Sequence, residues 1–219
     1  KEGDQLIEAK LTSGDSEVLL AAKEGKAIRF NEKAVRPIGR TGAGVKGITI
    51  DGDDEVVGMI CVEKDRKEDI LVVSEHGYGK RTDLDDYRIT NRGGKGVKAM
   101  ATREEDYVET VFTASTHDSI LFFTNLGKVY VRKGYRIPEA GRSARGQNIV
   151  NIIPTDPGEK VSAMIAGRGV TEDNYLVFVT RNGTVKRTAQ SAFKNIRSNG
   201  IRALSLDDGD ELIAVLKTN

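Results

Sequence analysis

In 219 residues the sequence has no tryptophan, one cysteine, two histidines and four prolines. The single thiol, Cys61, excludes an internal disulfide framework and fits a reducing cytoplasm. His76 and His117 stand 41 residues apart, a scatter without the ligand spacing of a metal site, so no metal is expected. The acidic stretch "DGDDE" at 51–55 lacks the downstream Glu of a calcium loop and reads as a solvated turn. No Ser/His/Asp set or carboxylate pair stands out, so neither catalysis nor a cofactor is expected of this chain. Every apolar run falls well short of the roughly 20 residues that span a bilayer, and the opening residues do not read as a signal peptide. No membrane partner is expected. The chain opens on Lys1 and is expected to be a piece of a longer protein. A dominant charge is also missing, since 34 Lys and Arg face 33 Asp and Glu. The whole molecule therefore has no net attraction for a charged partner.

Glycine, by contrast, is plentiful at 24 residues, and it recurs. The segments "EVLLAAKEGKAIRF", "DILVVSEHGYGKRT", "SILFFTNLGKVYVR" and "YLVFVTRNGTVKRT" share one plan: an apolar run, a polar turn, a glycine and a basic strand. Gly25, Gly77, Gly127 and Gly183 are spaced 52, 50 and 56 apart. A second glycine follows 19 residues later in three copies (Gly44, Gly96, Gly146) and 17 later in the fourth (Gly200). The runs are short, β-branched or aromatic, and end in turn residues such as Asn182-Gly183, so they read as strands and hairpins. Each copy opens with a further strand ("DQLIEAKLT", "DEVVGMICV", "DYVETVFTA", "EKVSAMIA"). Each closes with another ("VKGITI", "VKAM", "QNIVNII", "IRALSL"). Four strands per unit of about 50 residues is the arithmetic of a propeller-like array of four-stranded blades. The expected fold is all-β and a single domain over 1–219, with blades near 1–50, 51–100, 101–153 and 154–206. The tail 207–219 is expected to act as a closing strand that covers the edge of the first or last blade. Only "AQSAFKNI" reads as a short helical turn.

The repeat frame also makes the neutral charge informative. The stretches 23–47, 77–98, 127–146 and 181–202 run from the hairpin to the second glycine or up to three residues past it, and hold 25 basic but only 6 acidic residues. They carry +19, against −18 for the remainder. A merely soluble face mixes both signs. Equivalent positions in a radial array come to equivalent places, so these stretches are expected to form a basic belt suited to a long polyanion.

The stretch "ITNRGGKGVKAM" at 89–100 places Arg92 and Lys95 among Gly93, Gly94 and Gly96. It lacks the spacing of a P-loop. "GAGVKG" at 42–47 matches G-x-G-x-x-G, but a strand follows it where a dinucleotide site needs a helix. An Arg–Gly loop recurs at Arg40–Gly44, Arg92–Gly96, Arg142–Gly146 and Arg197–Gly200. Glycine permits a positive-φ path, expected at Gly94, that opens backbone N–H groups to a phosphate. Arg adds a bidentate fork and Lys a mobile charge. For Gly44, Gly146 and Gly200 a plain blade-to-blade turn is the simpler reading. Arg92 and Lys95 are the expected principal phosphate contacts. Arg40, Lys46, Arg142, Arg145, Lys186, Arg187 and Arg197 are the expected secondary ones. No recognition helix, zinc site or aromatic run offers base readout, so duplex DNA would be held by its backbone. A protein-interaction propeller that binds an acidic partner is the alternative.

"TNRGGKG" resembles the gyrase A box, Gln-Arg-Arg-Gly-Gly-Lys-Gly, of the C-terminal domain of DNA gyrase A. "GYGKRTDLDDYRITNRGGKGVK", "GRTGAGVKGI", "STHDSILFFTNLGKVY" and "FKNIRSNGIRALSL" are similar to blades of that family, and the likeness covers essentially the whole chain. It implies a β-pinwheel that wraps duplex DNA around a basic rim, so that a gyrase core can introduce negative supercoils. Strand passage belongs to that catalytic core, and ATP hydrolysis to a different polypeptide of the enzyme. The resemblance also implies a bacterial, nucleoid-associated setting. Thr90 and Asn91 stand where the box has Gln and Arg. Four blades are counted where the family has six (five in topoisomerase IV), and copies like later blades precede copies like early ones.

Overall fold

The computed structural model describes residues 3–64, 66–103, 105–167 and 174–218. Fifteen strands occur among them. In chain order they are β1 (Glu17–Ala22), β2 (Lys26–Asn31), β3 (Val56–Val62), β4 (Asp69–Ser74), β5 (Tyr78–Asp83), β6 (Val97–Lys98), β7 (Val108–Ala114) and β8 (Ser119–Thr124). There follow β9 (Lys128–Lys133), β10 (Gln147–Asn148), β11 (Val161–Gly167), β12 (Tyr175–Thr180), β13 (Val185–Ala189), β14 (Ile201–Arg202) and β15 (Leu212–Thr218). The fold is all-β, a β-pinwheel of four blades, as the repeat arithmetic predicts. The short turn expected in "AQSAFKNI" is a 3-10 turn at Gln190–Phe193. Similar turns follow β2, β5 and β9, each just past the basic strand of its repeat.

The chain divides into two compact units, 1–113 with 138–147, and 114–137 with 148–219. In the first unit, one sheet has the order β3-β1-β2-β6 and the other β10-β5-β4-β7. In the second unit the orders are β11-β8-β9-β14 and β13-β12-β15. The inner strands β1 and β4 are apolar on both faces and buried along almost their whole length, because neighbours cover both sides. Leu19, Ile60, Ile70, Val72, Tyr87 and Met100 anchor the core of the first unit. In the second unit, Phe123, Phe178 and Phe193 meet at centroid distances of 5.5–6.0 Å.

Strand membership departs from the sequence reading. The opening strand of each repeat completes the sheet of the repeat before it: β3 lies on β1, β11 on β8 and β15 on β12. The closing strand is likewise passed back, β6 to β2 and β14 to β9. The tail thus covers one edge of the last sheet. Two expected strands are absent. The first opening run, 4–12, forms no ladder, and its Leu6 and Leu11 are exposed. The first closing run, 45–50, is not a strand either. The last sheet consequently has three strands where four were expected. A passed-back strand needs a preceding sheet to receive it, and a strand in the last sheet needs a later repeat to supply its edge.

The "DGDDE" stretch is not simply a solvated turn. Asp54 is 6% exposed. Its Oδ1 accepts the amides of Glu24 at 3.0 Å and Glu55 at 2.9 Å, which ties the preceding hairpin turn to the next strand. Asp106 does the same for the amide of His76, and Asp210 for that of Asn182. In the third repeat Glu159 takes this place, accepting the hydroxyls of Thr124 and Tyr130. Burial opposes the charge of Asp106, yet the His76 amide and Ser74 hydroxyl outweigh it and hold its pKa below the usual carboxylate value. The recurrent acid is a hairpin clamp.

Candidate nucleic-acid interface

The "RGGKG" loop leads into β6, which pairs with β2 through Val97 opposite Ala27 and Lys98 opposite Lys26. This pairing brings the loop against the first repeat. The Gly93 amide donates to the Gly47 carbonyl at 2.6 Å, and Thr49 donates from its amide to Gly94 O and from its hydroxyl to Gly93 O. Positive φ falls on Gly93 (+82°) and Gly96 (+70°), not on Gly94 as the sequence reading expects. Gly96 has a second reason to be glycine, since a β-carbon there would lie 2.4 Å from the Ala27 carbonyl oxygen. The close approach of the β6 backbone to β2 places the demand at Gly96.

The two cations of the loop have different surroundings. Arg92 is half-buried, and its Nε and Nη1 donate to the carbonyls of Ala34 (2.8 Å) and Lys46 (3.0 Å). It fastens the loop to the first repeat. Lys95 keeps 71% of its side chain exposed, and its Nζ lies 3.4 Å from Asp51 Oδ1. Asp51 also accepts from Lys26 at 3.0 Å, and these ammonium groups, Lys26 first, hold its carboxyl below the usual range. Lys95 closes a cleft of about 310 Å³ with Arg88, Thr90, Asn91, Gly94 and Gly96. Arg88 is exposed there and was missed in the sequence. Its signal was available, because Arg36 and Arg88 each stand eight residues before the second glycine of their repeat.

The other expected contacts separate into held and exposed groups. Arg145 stacks on Tyr78, its guanidinium carbon 3.4 Å from the ring centroid and its Nη2 3.5 Å from Asp106. Lys186 donates to the Ala203 carbonyl at 2.8 Å. Arg142 is half-buried, and its carbonyl accepts the Lys80 ammonium at 2.6 Å. Lys80 itself is fully buried, and that burial pushes its pKa down to about 8. Arg40, Lys46 and Arg197 are exposed, and Arg187 is exposed while lying 3.7 Å over the Tyr175 ring. Within the second unit a cleft of about 570 Å³ gathers Arg132, Lys133, Arg136 and Lys194 beside the half-exposed Tyr135. These cations also escaped the sequence-based selection, although all lie in the basic stretches. Clefts lined by guanidinium and ammonium groups beside glycine backbone suit phosphate oxygens. Among the described residues no cluster of His, Cys, Asp and Glu could hold a metal ion, and no helix is long and apolar enough to cross a membrane.

The family profile "DNA gyrase C-terminal domain, beta-propeller" matches residues 16–63, 68–115, 118–167 and 174–219. Each matched segment runs from one hairpin into the next opening strand, which is the unit the sheets use. A DNA gyrase A polypeptide from Clostridium acetobutylicum is 46% identical over 172 residues, covering 75% of this chain and 21% of that polypeptide. One from Mycobacterium tuberculosis is 38% identical over 215 residues, covering 97% of this chain and 25% of that polypeptide. The chain therefore spans a quarter or less of these relatives. A solved DNA gyrase A C-terminal domain superposes with a TM-score of 0.72 at 27% identity, over 95% of this chain and 68% of that one. The C-terminal domain of a DNA topoisomerase IV shares the fold, with a TM-score of 0.73 at 21% identity, over 95% of this chain and 64% of that one.

Proposed function

Because this chain belongs to the DNA gyrase C-terminal domain family, we propose that it binds duplex DNA non-catalytically and wraps it along its basic rim. The observation that carries this reading is the repeat-locked charge: 25 of 34 basic residues and only 6 of 33 acidic ones lie in the equivalent stretches 23–47, 77–98, 127–146 and 181–202. Phosphates are the natural counterpart of such a pattern, and their neutralisation releases counterions. Lys95, Arg88, Arg40, Lys46, Arg187 and Arg197 reach the DNA. Arg92 acts partly through them, by holding the "RGGKG" loop in place, and Gly93, Gly94 and Gly96 let the backbone approach. Arg142, Arg145 and Lys186 contribute positive field from fixed positions. Base edges are not read, since no helix enters a groove. In a parent gyrase, the wrapped segment would be passed to the catalytic core to support negative supercoiling. That reading sets the domain on chromosomal DNA in the bacterial cytoplasm.

A nicked circular plasmid sealed by ligase with the domain bound tests this reading. Wrapping leaves a change in linking number that grows with the amount of protein and disappears at high salt. An unchanged topoisomer distribution at saturating protein would rule wrapping out. A rim that bound an acidic protein instead would leave the plasmid untouched.

A further inference from the structure

Two of the passed-back strands place like charges face to face. Lys98 of β6 stands directly opposite Lys26 of β2, and Arg202 of β14 stands opposite Lys128 of β9. Directly opposed residues of an antiparallel pair share a face and lie close, so two cations there repel and weaken the ladder. Each closing strand has only two residues, so one of its two cross-strand pairs is a repulsive one. The sheet β10-β5-β4-β7 is built differently. Tyr78 follows its first glycine, and its closing strand is Gln147–Asn148, without a cation on either.

Each cation pair comes with a carboxylate. Asp51 Oδ2 accepts from Lys26 Nζ at 3.0 Å, and its Oδ1 lies 3.4 Å from Lys95 Nζ. Asp156 Oδ2 accepts from Lys128 Nζ. The two aspartates hold the same place in their repeats. The carbonyl of each accepts the amide of the clamp acid three residues on, Asp54 or Glu159. In the second repeat, where there is no cation pair, that place belongs to Arg103, whose carbonyl accepts the Asp106 amide. Both ion pairs lie open to solvent, with 50% of the Asp51 side chain exposed and 60% of that of Asp156. Exposed pairs of this kind hold only weakly, so an incoming anion can exchange with them.

We propose that each cation pair is a phosphate subsite, and that Asp51 and Asp156 occupy the two subsites in the free protein until a phosphate group displaces them. This deepens the DNA-binding reading and rests on it for the source of the phosphate, the duplex backbone. It adds Lys26, Lys98, Lys128 and Arg202 to the residues that hold DNA. A phosphate group has enough acceptor oxygens to bond both cations of a pair at once, which relieves the repulsion across the ladder. The aspartates therefore have two effects. They stabilise the short closing strands when no DNA is bound, and they lower DNA affinity, because Lys26 and Lys128 must leave them first. A freed carboxylate also gathers cations from solution, which offsets part of the counterion release that favours binding.

Fluorescence anisotropy with labelled duplex, over about 50–200 mM salt, tests this on the wild type, Asp51→Asn and Asp156→Asn. The control is Asp53→Asn, which removes an exposed charge two residues from Asp51. Asp51→Asn and Asp156→Asn are each expected to bind roughly two- to fivefold tighter than the wild type. Their salt slopes should be steeper by up to about 1. Asp53→Asn should gain less, and adding Lys26→Met should cancel the gain from Asp51→Asn. Unchanged affinity in both asparagine variants, while the wild type binds duplex, overturns the proposal. So does a gain that survives Lys26→Met or is matched by Asp53→Asn, since a general field effect would then account for it. A second arm needs no DNA: inorganic pyrophosphate is titrated while backbone amide NMR shifts are followed. Shifts at Lys26, Lys98, Lys128 and Arg202 are expected, at lower pyrophosphate concentration in the asparagine variants. If pyrophosphate binds there but duplex does not bind at all, the DNA reading falls and the subsites stand. Pyrophosphate that leaves these four residues unshifted overturns the subsites themselves.

Discussion

Arg92 and Lys95 read alike in the sequence, as cations in an exposed glycine loop, and the structure separates them. Arg92 bonds two carbonyls, whereas Lys95, among the described residues, makes an exposed contact with Asp51. Lys95→Ala is therefore expected to lower the salt slope of DNA binding by about 1 and to change stability by no more than about 0.5 kcal/mol. Arg92→Ala should weaken binding and also cost roughly 1–3 kcal/mol, because charge-assisted bonds to two carbonyls are lost. Fluorescence anisotropy with labelled duplex and urea melts of both variants check this. Equal stability losses would refute the distinction. Lys80 supports a prediction in pH. Its folded pKa is about 8 and its unfolded value 10.5, so between them the unfolded chain holds more protons. Stability should increase as pH rises from about 8 to 10.5 and stay flat in this respect below 8. Thermal melts of wild type and Lys80→Met across that range should diverge, the variant lacking this increase. Parallel profiles would show that Lys80 titrates normally.

At the scale of elements, the closing strands are only two residues long, and their geometry depends on the glycine before them. Gly96→Val places a β-branched side chain at φ +70° and a β-carbon 2.4 Å from Ala27 O. The expected cost is at least about 2 kcal/mol, with β6 displaced from β2. Gly94→Val places its β-carbon 3.5 Å from Ile28 Cδ1, an ordinary contact at negative φ. It should cost less than about 1 kcal/mol. Urea denaturation midpoints decide between them, and a larger loss at Gly94 would contradict this account of the loop. Hairpins and glycine turns were legible in the sequence because alternation, turn residues and positive φ are local properties. The Asp54 clamp was not, because an acidic cluster looks the same whether its third Asp faces water or an amide 30 residues away.

For the whole molecule, near-neutral composition is compatible with the proposed DNA binding because the charge is sorted by repeat position. If about 6–10 cations meet phosphates, binding should fall roughly 10³–10⁵-fold between 50 and 200 mM salt. Duplexes of scrambled sequence should bind alike at a given salt. A salt-insensitive affinity, or a strong preference for one short sequence, would contradict backbone recognition.

The sequence by itself determined where the chain turns, which runs extend and where positive charge collects, since these follow from residue type and spacing. It also carried the family, through "RGGKG" and its flanks. Only the tertiary structure decided which strand completes which sheet. The runs "DQLIEAKLT" and "DELIAVLKTN" have nearly the same pattern, yet the first makes no ladder while β15, within the second, pairs along all of β12. Backbone donors and acceptors are the same in every strand, so pairing goes to whichever run reaches an open edge. The fates of Arg92, Lys80 and Asp54 were decided in the same way. Their partners lie in other repeats or on other strands, and the fold decides which carbonyl, amide or carboxylate stands within reach.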